Sequence, residues 1–292
     1  MRYEDTPVSE NIEDRRGTGG GGGGFAMGGG GLGIGAIIVI FAISYFTGIS
    51  PQVLMGGADM VARNSQSYTQ PARTGQAVDP NDPMRNFLAH VLGQTEEVWK
   101  TVLPRQTGLQ YTPATLVLYD GATRSACGGA RAAMGPFYCP IDKKVYLDTS
   151  FFRDMKTKYG GGGEFAYAYV VAHEIGHHVQ DLLGILEKVD AAKERVSQTQ
   201  ANALSVRVEL QADCLAGVWA ANANQRWKIL EQGDVERAIA TAQAIGDDRL
   251  QERARGYAVP DSFTHGSSAQ RAKWLTTGLK SGEVDSCDTF SR

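Results

Sequence analysis

The sequence predicts an α+β fold, mainly helical with a small β-sheet, preceded by one transmembrane helix. Three observations carry this prediction. Thr115 to Tyr119 (TLVLY) and Lys144 to Leu147 (KVYL) have the β-branched and aromatic make-up of short strands. Helical periodicity runs from Glu164 almost to the C-terminus. Leu32 to Ile49 is strongly apolar, inside a stretch from Gly17 to Ala58 that contains no charged residue.

In chain order, residues 1–31 read as a disordered tail: they are polar up to Arg16 and mostly glycine after it, too poor in apolar surface to order themselves. Residues 32–49 follow as the transmembrane helix, spanning roughly 27 Å at about 1.5 Å per residue. A cleaved signal peptide is the rival reading, but its apolar region is shorter, about 7 to 15 residues, and no small-x-small site closes the run here. Arg15 and Arg16 on the near side, against Asp59 as the first charge beyond, favour a cytoplasmic N-terminus. The bulk of the chain is then periplasmic or extracellular, anchored in the bacterial inner (cell) membrane. Residues 50–82 lack periodicity and read as a linker.

A folded domain is expected over 83–292. Asp82 can cap a helix that stops before Pro104, with His90 on it as a surface or packed side chain. The two strands come next. Glycines 160–163 mark the break before an amphipathic helix carrying Phe165, Ala168, Tyr169, Ala172, Ile175, Val179 and Leu182. Leu186 to about Trp227 reads as two helices interrupted near Ser197 to Thr199. Gly233-Asp234 and Asp247-Asp248 supply caps for shorter helices, and a last one lies near Ser268 to Leu279.

Composition narrows the partners. With 42% hydrophobic residues and a net charge of -3, a substantial core is possible and a basic stripe for nucleic acid is not. Four cysteines, Cys127, Cys139, Cys214 and Cys287, allow two disulfides in three connectivities. Separation suggests Cys127 with Cys139 and Cys214 with Cys287; four free buried thiols in a cytosolic domain are the other reading. No C-x-x-C pair exists for a cysteine zinc site.

The chemistry lies at 173–177, His-Glu-Ile-Gly-His. Residues four apart share a helix face, so His173 and His177 can address one ion, and Zn2+ suits that spacing. Glu174 lies beside the pair, where a general base can reach a water without being a ligand. His178 points about 100° away around the helix and does not complete the set. A third ligand is expected from V-E-L-Q-A-D at 208–213, where Glu209 and Asp213 are nearly even on spacing alone. The other of the two would accept the free ring N–H of a ligating histidine.

The pattern H-E-I-G-H with a downstream E-x-x-x-D resembles the gluzincin metallopeptidases. The longer strings C-G-G-A-R-A-A-M-G-P-F-Y-C-P (127–140), K-V-Y-L-D (144–148), A-H-E-I-G-H-H-V-Q (172–180), V-E-L-Q-A-D-C-L-A-G (208–217) and S-F-T-H-G-S-S-A-Q-R (262–271) are similar to the bacterial neutral zinc metallopeptidase family. The resemblance covers roughly 83–292 and includes the preceding anchor. It implies a zinc peptidase domain acting on a peptide or protein substrate, with His173, His177 and Glu209 as ligands and Asp213 behind them. It also implies a strand beside the active-site helix that pairs with extended substrate, for which Val145, Tyr146 and Leu147 are the candidates. His265 is a candidate donor to the reaction's oxyanion, and Arg271 and Tyr169 are further candidates. Two alternatives stand beside this: a zinc hydrolase of a non-peptide amide such as one in the cell wall, and a catalytically silent tethered binding module. Glu174 argues against the latter, since a structural site has no use for a base.

Overall fold

The computed structural model describes residues 1–17, 82–131, 134–158 and 162–291. The expected membrane segment at 32–49 and the linker, apart from Asp82, lie outside them. Among the described residues no helix is long and apolar enough to cross a membrane. The architecture is mixed α+β, with helices predominating.

The sheet has the order β1-β2-β6-β5. Its strands are β1 (Ile12–Asp14), β2 (Thr115–Tyr119), β6 (Lys144–Asp148) and β5 (Phe137–Cys139). β1 and β6 both run parallel to β2, and β5 is antiparallel to β6. Alternation along β2 and β6 serves two cores. Leu116, Leu118, Val145 and Leu147 face the main helical core. Val117, Tyr119 and Tyr146 meet Ala130 and Cys139 on the other face, over a hairpin of β3 (Ala122–Ser125) and β4 (Gly128–Arg131).

The first 17 residues correct the expected tail. They order by hydrogen bonding to the domain, a route that composition does not register. Arg2 N–H donates to Ile229 O at 2.9 Å, and Ile12 to Asp14 pair with Leu116 to Leu118. Ser9 Oγ and Asn11 Nδ2 donate to the buried Glu96 carboxylate at 2.6 and 2.7 Å. His90 is packed there too, its Nδ1 3.0 Å from Thr6 O.

Among the described residues eight α-helices follow. Asp82 caps α1 (Pro83–Thr107), accepting from the amides of Met84 and Arg85. The helix runs past Pro104, where termination was expected, because a proline in the last turns costs one ladder bond next to the exposed Lys100, and Gly108 closes the end. α2 (Ser150–Lys158) was not anticipated. Then come α3 (Glu164–Leu182), α4 (Ile185–Lys193), α5 (Gln198–Trp227), α6 (Asp234–Ala244), α7 (Asp247–Arg255) and α8 (Ser268–Ser281). The expected break near Ser197 is a capping box of Ser197 with Gln200 that starts α5.

α8 lies unusually close to α5. A Cβ on Gly278 would sit 1.8 Å from Cys214 O, so only glycine permits the approach. Gly278→Ala is expected to lower stability by at least the about 1–3 kcal/mol typical of overpacking. A wild-type melting temperature in that variant would show that the two helices can part freely. Both suggested disulfides are present, Cys127–Cys139 and Cys214–Cys287. The second closes 73 residues and ties α5 to the segment after α8.

Candidate metal centre

α3 carries the motif because its apolar face is continuous: Ile175 and Val179 are fully buried, and His173 and Glu174 sit at the end of that face, 6% and 7% exposed. α3 meets α5 where Gly176 faces Ala212; a Cβ there would be 3.0 Å from Ala212 O. This close crossing brings Glu209 opposite the histidines. His173, His177 and Glu209 each offer a ligand atom, and these lie within 4.8 Å of one another.

The ring orientations are set from behind. His173 Nδ1–H donates to Asp213 Oδ1 at 2.9 Å, leaving Nε2 3.2 Å from Glu209 Oε2. His177 Nδ1–H donates to Gln180 Oε1 at 2.8 Å, leaving Nε2 3.6 Å from Glu209 Oε1. Both rings therefore turn Nε2 toward one carboxylate, and both tautomers are fixed by an acceptor on Nδ1. Gln180 is itself held, its Nε2 donating to Val208 O at 2.8 Å and to Gln211 Oε1 at 2.9 Å.

Asp213 is fully enclosed. Arg271 grips it with Nε to Oδ2 at 2.8 Å and a second nitrogen to Oδ1 at 2.9 Å, and Tyr169 Oη donates to Oδ1 at 2.5 Å. Burial would push this carboxyl up; the Arg271 guanidinium and His173 outweigh it and hold it to about 2. Burial works against a charged His173, and Asp213 and Glu209 reverse this, raising it to about 10. Burial also opposes ionisation of Glu209, yet the surrounding His177, His265 and His173 hold it well below the ordinary glutamate range. For Glu174 burial dominates and raises the carboxyl, with His177 and His173 pulling the other way.

The remaining predicted residues divide. His178 points elsewhere as expected, its Nε2–H donating to Thr112 O at 2.6 Å beside Tyr138 Oη at 2.9 Å from Nδ1. His265 is half exposed on a loop pinned by Asp247, whose Oδ2 accepts from the amides of Thr264, His265 and Gly266 at 2.7, 2.6 and 3.1 Å. Asp247 Oδ1 lies 3.3 Å from His265 Nδ1, and the ring is within electrostatic reach of Glu209. Val145, Tyr146 and Leu147 are not brought to the site. They are buried in β6, which has β2 on one side and β5 on the other, so no edge is open to a peptide. β5 is the outer strand on this side of the sheet, and its Tyr138 backbone is near enough to Glu174 to favour the charged carboxylate. Sequence reasoning missed β5 because three residues are too short a run to register. It also missed Gln180 and Asp247, although Gln180 stands three residues after His177 on the same helix and could have been found from that spacing.

A mixed α+β domain with two helix-borne histidines, an adjacent buried glutamate and a carboxylate from a second helix is the arrangement of a zinc hydrolase. The chain belongs to the family described as "Putative neutral zinc metallopeptidase", which it matches over residues 1–290. It is 44% identical to the uncharacterized protein YpfJ of Escherichia coli K12, over 100% of this chain and 99% of that one. It is 42% identical to the uncharacterized proteins Rv2575 of Mycobacterium tuberculosis H37Rv and Mb2605 of Mycobacterium bovis, over 75% of this chain and 74% of each of them. No solved structure matches.

Proposed function

We propose that the protein is a zinc-dependent metalloendopeptidase that hydrolyses peptide bonds of a peptide or protein substrate. The observation that carries this reading is the convergence of two Nε2 atoms on Glu209 beside the buried Glu174. The donor set fits Zn2+: two imidazoles with fixed tautomers and one carboxylate, three ligands in all, as a catalytic site requires. His173, His177 and Glu209 would hold the ion, and Asp213 and Gln180 would orient its histidines. When bound, zinc supplies Lewis acidity and lowers the pKa of a water towards about 7.

The chain's own groups do the rest. Glu174 Oε accepts a proton from the attacking water and returns it to the amine nitrogen that leaves. Its raised proton affinity suits both transfers. His265, steadied by Asp247, donates a hydrogen bond to the substrate carbonyl oxygen as that atom gains negative charge. The outer edge of β5 offers backbone groups to an extended peptide, in place of β6.

The two disulfides support placement outside the cytoplasm, where thiols are oxidised, and the apolar stretch 32–49 supports attachment to the bacterial inner (cell) membrane. The test is metal analysis and proteolysis with the full chain in detergent, since truncation before Pro83 would remove β1. One zinc per chain and hydrolysis of unfolded protein substrates are expected, both lost in His173→Ala. A parent protein without stoichiometric zinc would overturn the reading.

A further inference from the structure

Residues 1–17 are built into the domain through a continuous set of contacts, and their far end meets the start of α1. Arg16 places a guanidinium nitrogen 2.5 Å from Asp82 Oδ2 and 2.5 Å from Asp14 Oδ2. Arg15 N–H donates to Leu118 O at 2.8 Å, and its side chain donates to Thr123 Oγ1 and Arg124 O at 3.1 and 2.9 Å. Gly17 N–H donates to Asp120 Oδ2 at 3.1 Å. Asp82 meanwhile caps α1.

We propose that this N-terminal arm lies on the same side of the membrane as the domain, with Gly17 and Asp82 held at one place on the domain surface. The proposal holds whatever the site cleaves. One crossing would put Gly17 and Asp82 on opposite faces of a hydrocarbon layer about 30 Å thick. The Arg16–Asp82 pair, the β1–β2 ladder and the Ser9 and Asn11 bonds to Glu96 would all break. Glu96, 7% exposed with the arm in place, would lose both of those donors.

The charges that favour a cytoplasmic N-terminus are Arg15 and Arg16, and here both are committed to the domain. Paired ends require zero crossings or an even number. Leu32 to Ile49, at about 1.5 Å per residue, is long enough as a helix for one crossing only. The family match, which begins at residue 1, includes the arm.

Thiol labelling of the full chain in cell membranes tests this, because all four native cysteines are in disulfides. Val8→Cys or Glu10→Cys reports the arm and Ile141→Cys the domain, all at exposed positions. A membrane-impermeant maleimide should label arm and domain in the same preparation, whether spheroplasts or inverted vesicles. Arm labelling in inverted vesicles with domain labelling in spheroplasts would overturn the proposal. As a second measurement, Ser9→Ala with Asn11→Ala should lower the melting temperature of the detergent-solubilised protein by several degrees. An unchanged melting temperature would mean that the arm is not a structural part of the domain.

Discussion

Glu174→Gln is expected to reduce peptide hydrolysis by about 10²- to 10⁴-fold, the range spanned by a positioned proton-transfer group, while zinc content stays at the parental level. The amide keeps the volume and the hydrogen-bonding reach of the carboxylate but cannot accept the water's proton. Glu174 is not among the three residues whose ligand atoms converge, so those that would hold the ion are untouched. Because burial already opposes the charged form of Glu174, the neutral side chain should not destabilise the helix. The decisive comparison is turnover and bound zinc on one sample. Zinc retained with activity unchanged would remove Glu174 from the reaction, and zinc lost would make it a structural residue.

Arg271→Met is expected to have the largest effect on stability, about 3–5 kcal/mol, because it leaves the Asp213 carboxylate buried without its guanidinium. The effect should depend on pH in a defined way in the metal-free protein. Asp213 is held at about 2 in the fold against an ordinary 3.8, so its contribution is fully present above about pH 4 and is lost as pH falls towards 2. His173 is raised to about 10 from 6.5, so its contribution is present below about 6.5 and fades as pH rises through 10. The parent network is thus strongest between about pH 4 and 6.5; the Arg271 contribution rests on the charged Asp213, so parent and variant should differ in urea unfolding above about pH 4 and converge as pH falls towards 2. Adding Asp213→Asn to Arg271→Met should recover part of the loss, since the uncompensated charge is gone. A flat difference across pH would show that Arg271 contributes packing and not charge.

The helix-borne part of the site was legible because it is local. His173, Glu174 and His177 share a face by helical spacing alone, and the apolar positions around them mark the helix as buried. The same logic found the start of α5 at Ser197 and the last helix. Glu209 and Asp213 could be placed on one helix but not told apart, because which faces the histidine rings at Nε2 and which at Nδ1 depends on how α3 crosses α5. Gly176 against Ala212 sets that crossing. The strand at 144–148 was legible as a strand, yet its neighbours were not: strand character is a property of five residues, whereas edge or interior depends on Phe137–Cys139, a run too short to notice. The arm was misread for a related reason. Its residues are polar and bury little by themselves, and their partners, Glu96 and Leu116 to Leu118, lie about a hundred residues away.

By itself the sequence determined the mixed helical class, the His-Glu-Ile-Gly-His motif on its helix, and the apolar stretch, since each is a periodicity or a composition within one segment. Only the tertiary structure decided that Glu209 turns to the two rings while Asp213 stands behind one of them, that among the described residues β5 is an outer strand and β6 is not, and that the first 17 residues belong to the domain. Each of those depends on contacts between segments far apart in the chain, which local side-chain chemistry permits but does not select.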